Sequence, residues 1–304
     1  MAEQDRSKRL ARVDAVVIAA VCLLLIVLVP VLFARPREQS MRRLCAANLG
    51  QIGKAMLVYA GENDGELPRA GGPNTAWGFT SNWAARDRRM VFGLNVDGSG
   101  GRASITASLY LLVKYYGAPM RLFVCKADKG TTEFKLSQRT DVPTWFEPHD
   151  AWDFGGLDES YRHCSYAYHI PYGLYGLSVS SDPNMAVAAD RSPWIISPAA
   201  APTVWAEFMP DRSAIGGTGT SEQARRGNSV THQRDGQNVL FLDGRVAFER
   251  RSYCGVGKDN IYTASRHPTL GDPFGAKPVL SWRCSPTNRK DSLLVHDPDS
   301  FGGG

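Results

Sequence analysis

Hydrophobic and polar positions follow three different rhythms along this chain. Residues 15–34 (AVVIAAVCLLLIVLVPVLFA) are apolar without interruption, twenty in a row between Asp14 and Arg35. In a helix such a run is about 30 Å long, the thickness of a bilayer's hydrocarbon core. It predicts a transmembrane helix, in which Pro30 is tolerated as a kink. The run is long for a secretory signal, and Leu32, Phe33 and Ala34 do not make a signal-peptidase exit, so a retained anchor is expected. Residues 37–60 (REQSMRRLCAANLGQIGKAMLVYA) change rhythm. Met41, Leu44, Cys45, Leu49, Ile52, Met56 and Tyr59 recur every three or four positions and draw one apolar stripe. Gly50 and Gly53 lie near or on that stripe; each costs a helix about 1 kcal/mol relative to Ala, and they would let another part of the chain approach closely. The cluster GENDGELP (61–68) ends the pattern. One helix from about residue 11 to about 60 is therefore predicted, half in lipid and half amphipathic.

The third rhythm has period two. NVLFL (238–242) and RVAFE (245–249) are β-rich runs joined by Asp243 and Gly244, a strong short-range hairpin signal. A type I′ turn is expected there, with positive φ at both central residues. RDGQ (234–237) supplies a second turn just before.

Composition adds bounds. The 304 residues are 43% hydrophobic, enough for a packed core rather than a disordered chain. Thirty Gly and eighteen Pro predict a head rich in turns. The net charge of +5 is modest, and the Arg pairs at 42–43, 88–89, 225–226 and 250–251 are scattered, which argues against a nucleic-acid partner. No repeat of solenoid or propeller period is present. Orientation in a membrane is not decided by charge: Arg6, Lys8, Arg9 and Arg12 precede the apolar run, and Arg35, Arg37, Arg42 and Arg43 follow it.

A basic N-terminus, an apolar helix, and then Arg42, Cys45, Asn48, Leu49, Gln51, Ile52, Gly53, Ala55, Tyr59, Ala60, Asn63, Asp64, Gly65 and Pro68 together resemble the N-terminal half of type IV pilin-like and type II secretion pseudopilin-like proteins. The closest resemblance is to the planctomycete-type group with a prepilin-type N-terminal segment and an H-x9-D-G processing-associated domain. His232, Asp243 and Gly244 make the second half of that pattern, with ten residues between His232 and Asp243 instead of nine. The segments 107–125, 164–173, 259–263 and 290–295 also look like that group, so the resemblance covers nearly the whole chain. Where the family has Gly before the prepilin peptidase cut this chain has Arg9, followed by Leu10, and Asp14 takes the place of the family's Glu.

The resemblance implies an α+β, pilin-like fold, with a long N-terminal helix packed on an antiparallel sheet. Residues 1–14 would be a basic cytoplasmic segment, 15–34 the span and 35–62 its amphipathic continuation. Residues 63–296 would form an extracytoplasmic head with an aromatic insertion at about 140–175, and 297–304 a flexible tail. It implies a single-pass inner-membrane protein with a cytoplasmic N-terminus and a non-catalytic assembly role. Its partners would be the lipid bilayer and other pilin-like subunits or secretion machinery. Arg9, Leu10 and Asp14 are the processing and assembly candidates. A second expectation is a permanently anchored module that binds a glycan or another envelope component, and a third is a membrane-anchored hydrolase.

Candidate chemistry in the head is sparse. Asp243 and Gly244 are explained by a turn, and His232 by a hydrogen bond that pins its loop against the sheet. Ser229, His232 and Asp235 are three residue types of a hydrolase triad, but triads gather from distant segments and no G-x-S-x-G accompanies these. No catalytic residue is expected. Six cysteines, at 22, 45, 125, 164, 254 and 284, include no CxxC pair. Cys125 with Cys164 and Cys254 with Cys284 are candidate disulfides in an oxidising compartment, leaving Cys45 over and buried. Widely spaced cysteines make structural zinc the weaker reading. In the aromatic insertion His149, Asp150, Asp153, His163 and His169 are candidate metal ligands, and Trp145 and Trp152 candidate sugar platforms. The plainer reading is a surface excursion folded over the core by its own aromatics. NVDGSGG (95–101) resembles part of a calcium loop without the downstream Glu of an EF-hand; no cofactor is expected, and calcium stays open because the resemblance to pseudopilins, which bind it in a loop, implies it.

Overall fold

The computed structural model describes residues 2–157 and 159–301, with the side chains of 2–14, 16, 25 and 27–35 outside that description. In chain order come α1 (Ala2–Glu62), β1 (Ala76–Trp77), α2 (Arg88–Phe92), β2 (Arg102–Ala103) and α3 (Ile105–Tyr116). They are followed by β3 (Tyr166–His169), β4 (Ala186–Asp190), α4 (Ser221–Arg225), β5 (Gln237–Phe241), β6 (Val246–Glu249) and β7 (Leu294–Val295). The chain divides into two compact units, Met1–Arg43 and Leu44–Gly304. Among the described residues no helix is long and apolar enough to cross a membrane. Half the side chains of the apolar run 15–34 lie outside the described residues, as do those of Arg9, Leu10 and Asp14.

The second unit is built on a five-stranded antiparallel sheet in the order β6-β5-β4-β3-β7. Its three central strands are buried along their whole length, so both faces are covered. On one face Tyr166, Tyr168, Val187, Leu240 and Val295 pack with Cys45, Leu49, Ile52 and Met56 of α1 and with α3. On the other, Ala167, Ala186, Ala189, Val239, Phe241 and Leu294 meet a loop-rich layer around Trp194, Phe208, Tyr253 and Tyr262. The alternation along β3 and β5 assigns neighbours to opposite faces, as a period of two requires. In β4 a register shift between Ala186 and Ala188 interrupts that alternation. Its alanines present little bulk to either layer.

The stripe predicted within residues 37–60 is the buried face of α1 from Cys45 onward, with Met41 only half-buried. Cys45, Leu49, Ile52, Met56, Tyr59 and Ala60 are covered, while Leu44, on the edge of the stripe, is half exposed. Burying a side chain of this size contributes roughly 1.5–3 kcal/mol, which outweighs the helix cost of two glycines. Gly53 has a steric reason: a Cβ there would sit 2.7 Å from Leu240 Cδ1. Gly50 has none of that kind, because its Cβ would meet only Val246, at an ordinary 3.9 Å.

α3 begins at Ser104, whose hydroxyl accepts from Ala107 N (2.8 Å), and ends on Gly117 in the left-handed conformation. Asp297 reinforces its start by accepting from Ile105 N (2.9 Å) and Thr106 N (2.8 Å), and also takes the Trp77 indole N–H (2.8 Å). Phe301 then meets Trp77 and Phe79 edge-on, with ring centroids 5.1 and 4.7 Å apart. The tail expected to be flexible is thus built into the core as far as Phe301; residues 302–304 lie outside the described residues.

Candidate functional site

Four segments of the second unit bring chemistry together beside the sheet. The first two are joined covalently: Cys45 on α1 and Cys125 in the loop after α3 form a disulfide with Cα atoms 5.3 Å apart, across 80 residues of sequence. One helical turn beyond Cys45, Asn48 Nδ2 donates to Val124 O (3.2 Å), so the same face of α1 grips the chain on both sides of the bond. The Tyr166 hydroxyl of β3 donates to Cys45 O (3.4 Å). These contacts correct the expected pairings. Cys125 bonds Cys45 and not Cys164, and Cys164, Cys254 and Cys284 are free thiols. The stripe that buries Cys45 also aims it at Cys125, whereas Cys164 turns its sulfur to Tyr166 O and its thiol pKa is pushed up to about 12 by burial.

The third and fourth segments are the end of β4 and the loop leading into β5. Ala189 pairs with Val239, which sets Asp190 beside Asn238. Asp190 Oδ2 accepts from Asn238 N (2.7 Å) and Nδ2 (3.2 Å), while its Oδ1 is buried without a hydrogen bond. Burial raises the Asp190 pKa; the neighbouring His232 and the Asn238 bonds oppose that rise. His232 reaches the cluster from a loop whose Gln233 and Arg234 both take positive φ (57° and 60°). Its Nε2 faces Asp190 Oδ2 (3.4 Å), Asn238 Nδ2 (3.3 Å) and Cys125 Sγ (4.0 Å). Its ring stands edge-on to Phe248, centroids 6.1 Å apart. Next in sequence to Asp190, the fully buried Arg191 binds Asp128 Oδ2 through Nε (2.8 Å) and Thr131 Oγ1 through Nη2 (3.1 Å). That ties the Cys125 loop to the end of β4 a second time.

The ligand-type atoms of Cys45, Cys125, Asp190 and His232 all lie within 4.8 Å of one another, and all four residues are buried. Such a sealed cluster suits a structural junction better than a substrate site. The contacts of His232 with Asp190 of β4 and Asn238 of β5 are to side chains, where a bond to a backbone carbonyl was expected. The Ser229 hydroxyl donates to Thr231 Oγ1 (3.2 Å). Asp235 forms an exposed ion pair with Arg225 (2.5 Å).

Asp243 and Gly244 make the hairpin turn, in a different form from the one expected. Only Gly244 takes positive φ (85°). Gly244 N bonds Phe241 O (2.9 Å) and Phe241 N bonds Arg245 O (3.0 Å), which is a three-residue loop closed by a left-handed glycine. Asp243 turns its carboxylate back on Arg245 N (3.0 Å). The register is set from outside the hairpin, since Leu242 N and Asp243 N continue the sheet by bonding Met185 O and Pro183 O.

In the aromatic insertion His149 and Asp150 lie side by side on the surface (Nε2–Oδ1 3.7 Å), while the other candidate ligands go elsewhere: Asp153 bonds Ser104 beside α3, His169 contacts Tyr175 O (3.2 Å), and His163 contacts Thr132 O (2.9 Å). Trp152 is in the core, its indole N–H on Ala85 O (3.0 Å) and the Lys114 ammonium 4.0 Å above its ring; Trp145 is exposed. In the loop at 95–101, Asp97 Oδ1 is engaged by Ser99 N (2.9 Å) and Ser99 Oγ (2.7 Å), an Asx-type closure that needs no cation. The sequence missed Asp190, Asn238 and the partner of Cys45. A carboxylate closing the otherwise apolar run MAVAAD was the available signal for the first.

No protein-family model matches the chain, no curated protein matches it, and no solved structure matches it.

Proposed function

We infer that the protein is a pilin-like, single-pass membrane subunit whose work is assembly. The observation that carries this reading is the way residues 45–60 of α1 form one layer of the core against an antiparallel sheet and are tied there by Cys45–Cys125. The apolar run 15–34 belongs to the same helix, Ala2–Glu62, and is long enough in sequence to enter a bilayer. The disulfide also favours an extracytoplasmic head, because such bonds persist in oxidising compartments. Helix packing in the membrane, and then between subunits, supplies the energy of assembly. Asp14 would pair with the N-terminal amine of a neighbouring subunit once Leu10 is exposed by cleavage.

Intact mass and N-terminal sequence of the protein taken from its own membranes test this. A chain beginning at Leu10 supports an assembling subunit. A chain beginning at Met1 or Ala2 makes α1 a fixed anchor and favours the second reading, a binding module. One observation supports that alternative: a cleft of about 440 Å³ lined by Tyr59, Arg69, Arg88, Tyr115, Tyr116 and Trp152, an aromatic and cationic surface suited to an acidic glycan. The buried indole of Trp152 forms only a wall of that cleft, so Tyr115, which is exposed, is the stacking residue to replace.

A further inference from the structure

We propose that Cys45, Cys125, Asp190 and His232 form a structural zinc site whenever the two cysteines are thiols, and that the disulfide is the oxidised form of that same site. The ligand set comes from four separate segments: α1, the loop after α3, the end of β4 and the loop before β5. Such convergence is uncommon for residues with no shared task. Zinc in a structural site takes four ligands, with Zn–S near 2.3 Å and Zn–N near 2.0 Å. A tetrahedron of that size separates its ligand atoms by roughly 3.3–3.8 Å. The four ligand atoms here already lie within 4.8 Å of one another. His232 Nε2 stands 4.0 Å from Cys125 Sγ and 3.4 Å from the Asp190 carboxylate, so binding requires the two bonded sulfurs to part and the remaining ligands to close in by no more than about 1 Å.

Two further features point to a cation and not to the disulfide alone. Asp190 Oδ1 is buried with no hydrogen-bond partner, a costly state for a carboxylate oxygen that a metal would relieve. The other oxygen, Oδ2, is already oriented by Asn238 N and Nδ2, the kind of second support that metal-bound carboxylates have. A disulfide requires neither a carboxylate nor an imidazole beside it. The burial of all four residues makes the site a closed, structural one, with no position open for substrate.

The two states exchange as follows. Two zinc-bound thiolates of Cys45 and Cys125 are oxidised by a low-molecular-weight or protein disulfide. The Sγ–Sγ bond forms as the oxidant's S–S bond breaks; the oxidant takes the two electrons and, with two protons, leaves as two thiols. Zinc is released because a disulfide sulfur is a poor ligand. While the two cysteines are thiols the ion fastens α1 to the sheet, and the bond replaces it on oxidation.

The test uses the full chain, purified in detergent under anaerobic conditions with its thiols reduced, and titrated with cobalt(II) and then zinc. The expected result is one equivalent of cobalt in a tetrahedral site with a thiolate-to-metal charge-transfer band, displaced by one equivalent of zinc. The same protein with the disulfide intact should show no such band, although Cys22, Cys164, Cys254 and Cys284 are present in both forms. Asp190→Asn should weaken cobalt binding at least about tenfold, and Cys125→Ser should abolish the charge-transfer band. The proposal is overturned if reduced wild-type protein binds cobalt no better than the oxidised form. It is equally overturned if the band persists in a Cys45→Ser, Cys125→Ser double variant. Because the first comparison needs no variant, a substitution that fails to fold does not protect the idea.

Discussion

Cys45 joins a helix to a loop 80 residues away, and its bond constrains the unfolded chain more than the folded one. Closing a loop of that length should contribute about 4 kcal/mol. Cys45→Ser and Cys125→Ser, each in the oxidised protein, are expected to lower stability by about that amount in urea titration, and the double variant by little more than either single one. Additive losses would show that the two residues act separately. Asp153 shows a different residue-scale effect. It is fully buried beside Ser104 and Thr106, and burial, with the Asp297 carboxylate nearby, raises its pKa to about 7. In the unfolded chain it ionises near pH 4. Between about pH 4 and pH 7 the unfolded state gives up a proton that the native state keeps, so this group makes stability fall as pH rises, by a few kcal/mol in all. His169, whose pKa burial lowers to about 4 from about 6.5 in the unfolded chain, acts in the opposite direction over nearly all of that window. The contribution of Asp153 is therefore read as a difference: stability of wild type relative to Asp153→Asn should fall from pH 4 to pH 7 and level off above. A difference that does not change with pH would refute the assignment.

At the scale of elements, α1 and the β5–β6 hairpin were legible because their signals are local. A stripe at helical spacing, and two β-rich runs either side of Asp243 and Gly244, require no knowledge of a partner. The type of turn was not legible, because the bonds from Leu242 and Asp243 to residues 183–185 settle the register from outside the hairpin. β3 and β4 were missed for a related reason. Buried on both faces, YAYH and AVAAD do not alternate between apolar and polar, and the alanines of β4 carry no β-propensity. The candidate site was half legible. His232 stood out by its pattern, but Asp190 and the bond to Cys45 exist only through tertiary placement. The two glycines of α1 give a paired prediction. Gly50→Ala should raise the melting temperature, since helix propensity gains about 1 kcal/mol and nothing is displaced. Gly53→Ala should lower it, because moving the buried Leu240 costs roughly 1–3 kcal/mol and exceeds the same gain. Shifts of the same sign would mean that Leu240 yields more easily than its surroundings suggest.

For the molecule as a whole, the last residues of the chain close contacts with some of the earliest of the head. Asp297 caps α3 from 192 residues downstream of Ile105, and Phe301 lies against Trp77 and Phe79. Phe301→Ala should cost about 1–3 kcal/mol by the loss of two aromatic contacts and should red-shift tryptophan emission as Trp77 gains water. An unchanged spectrum would mean that the ring does not shield Trp77. β7, too, is made after every other described strand, and it completes an edge of the sheet beside β3. A ribosome delivers this chain from the other end. While it does so, the head lacks an edge strand and a helix cap until residues 294–297 have been made. Closure of the sheet therefore waits until residue 297 has left the ribosome, and any product of premature termination before residue 294 would present an unfinished sheet to quality-control proteases.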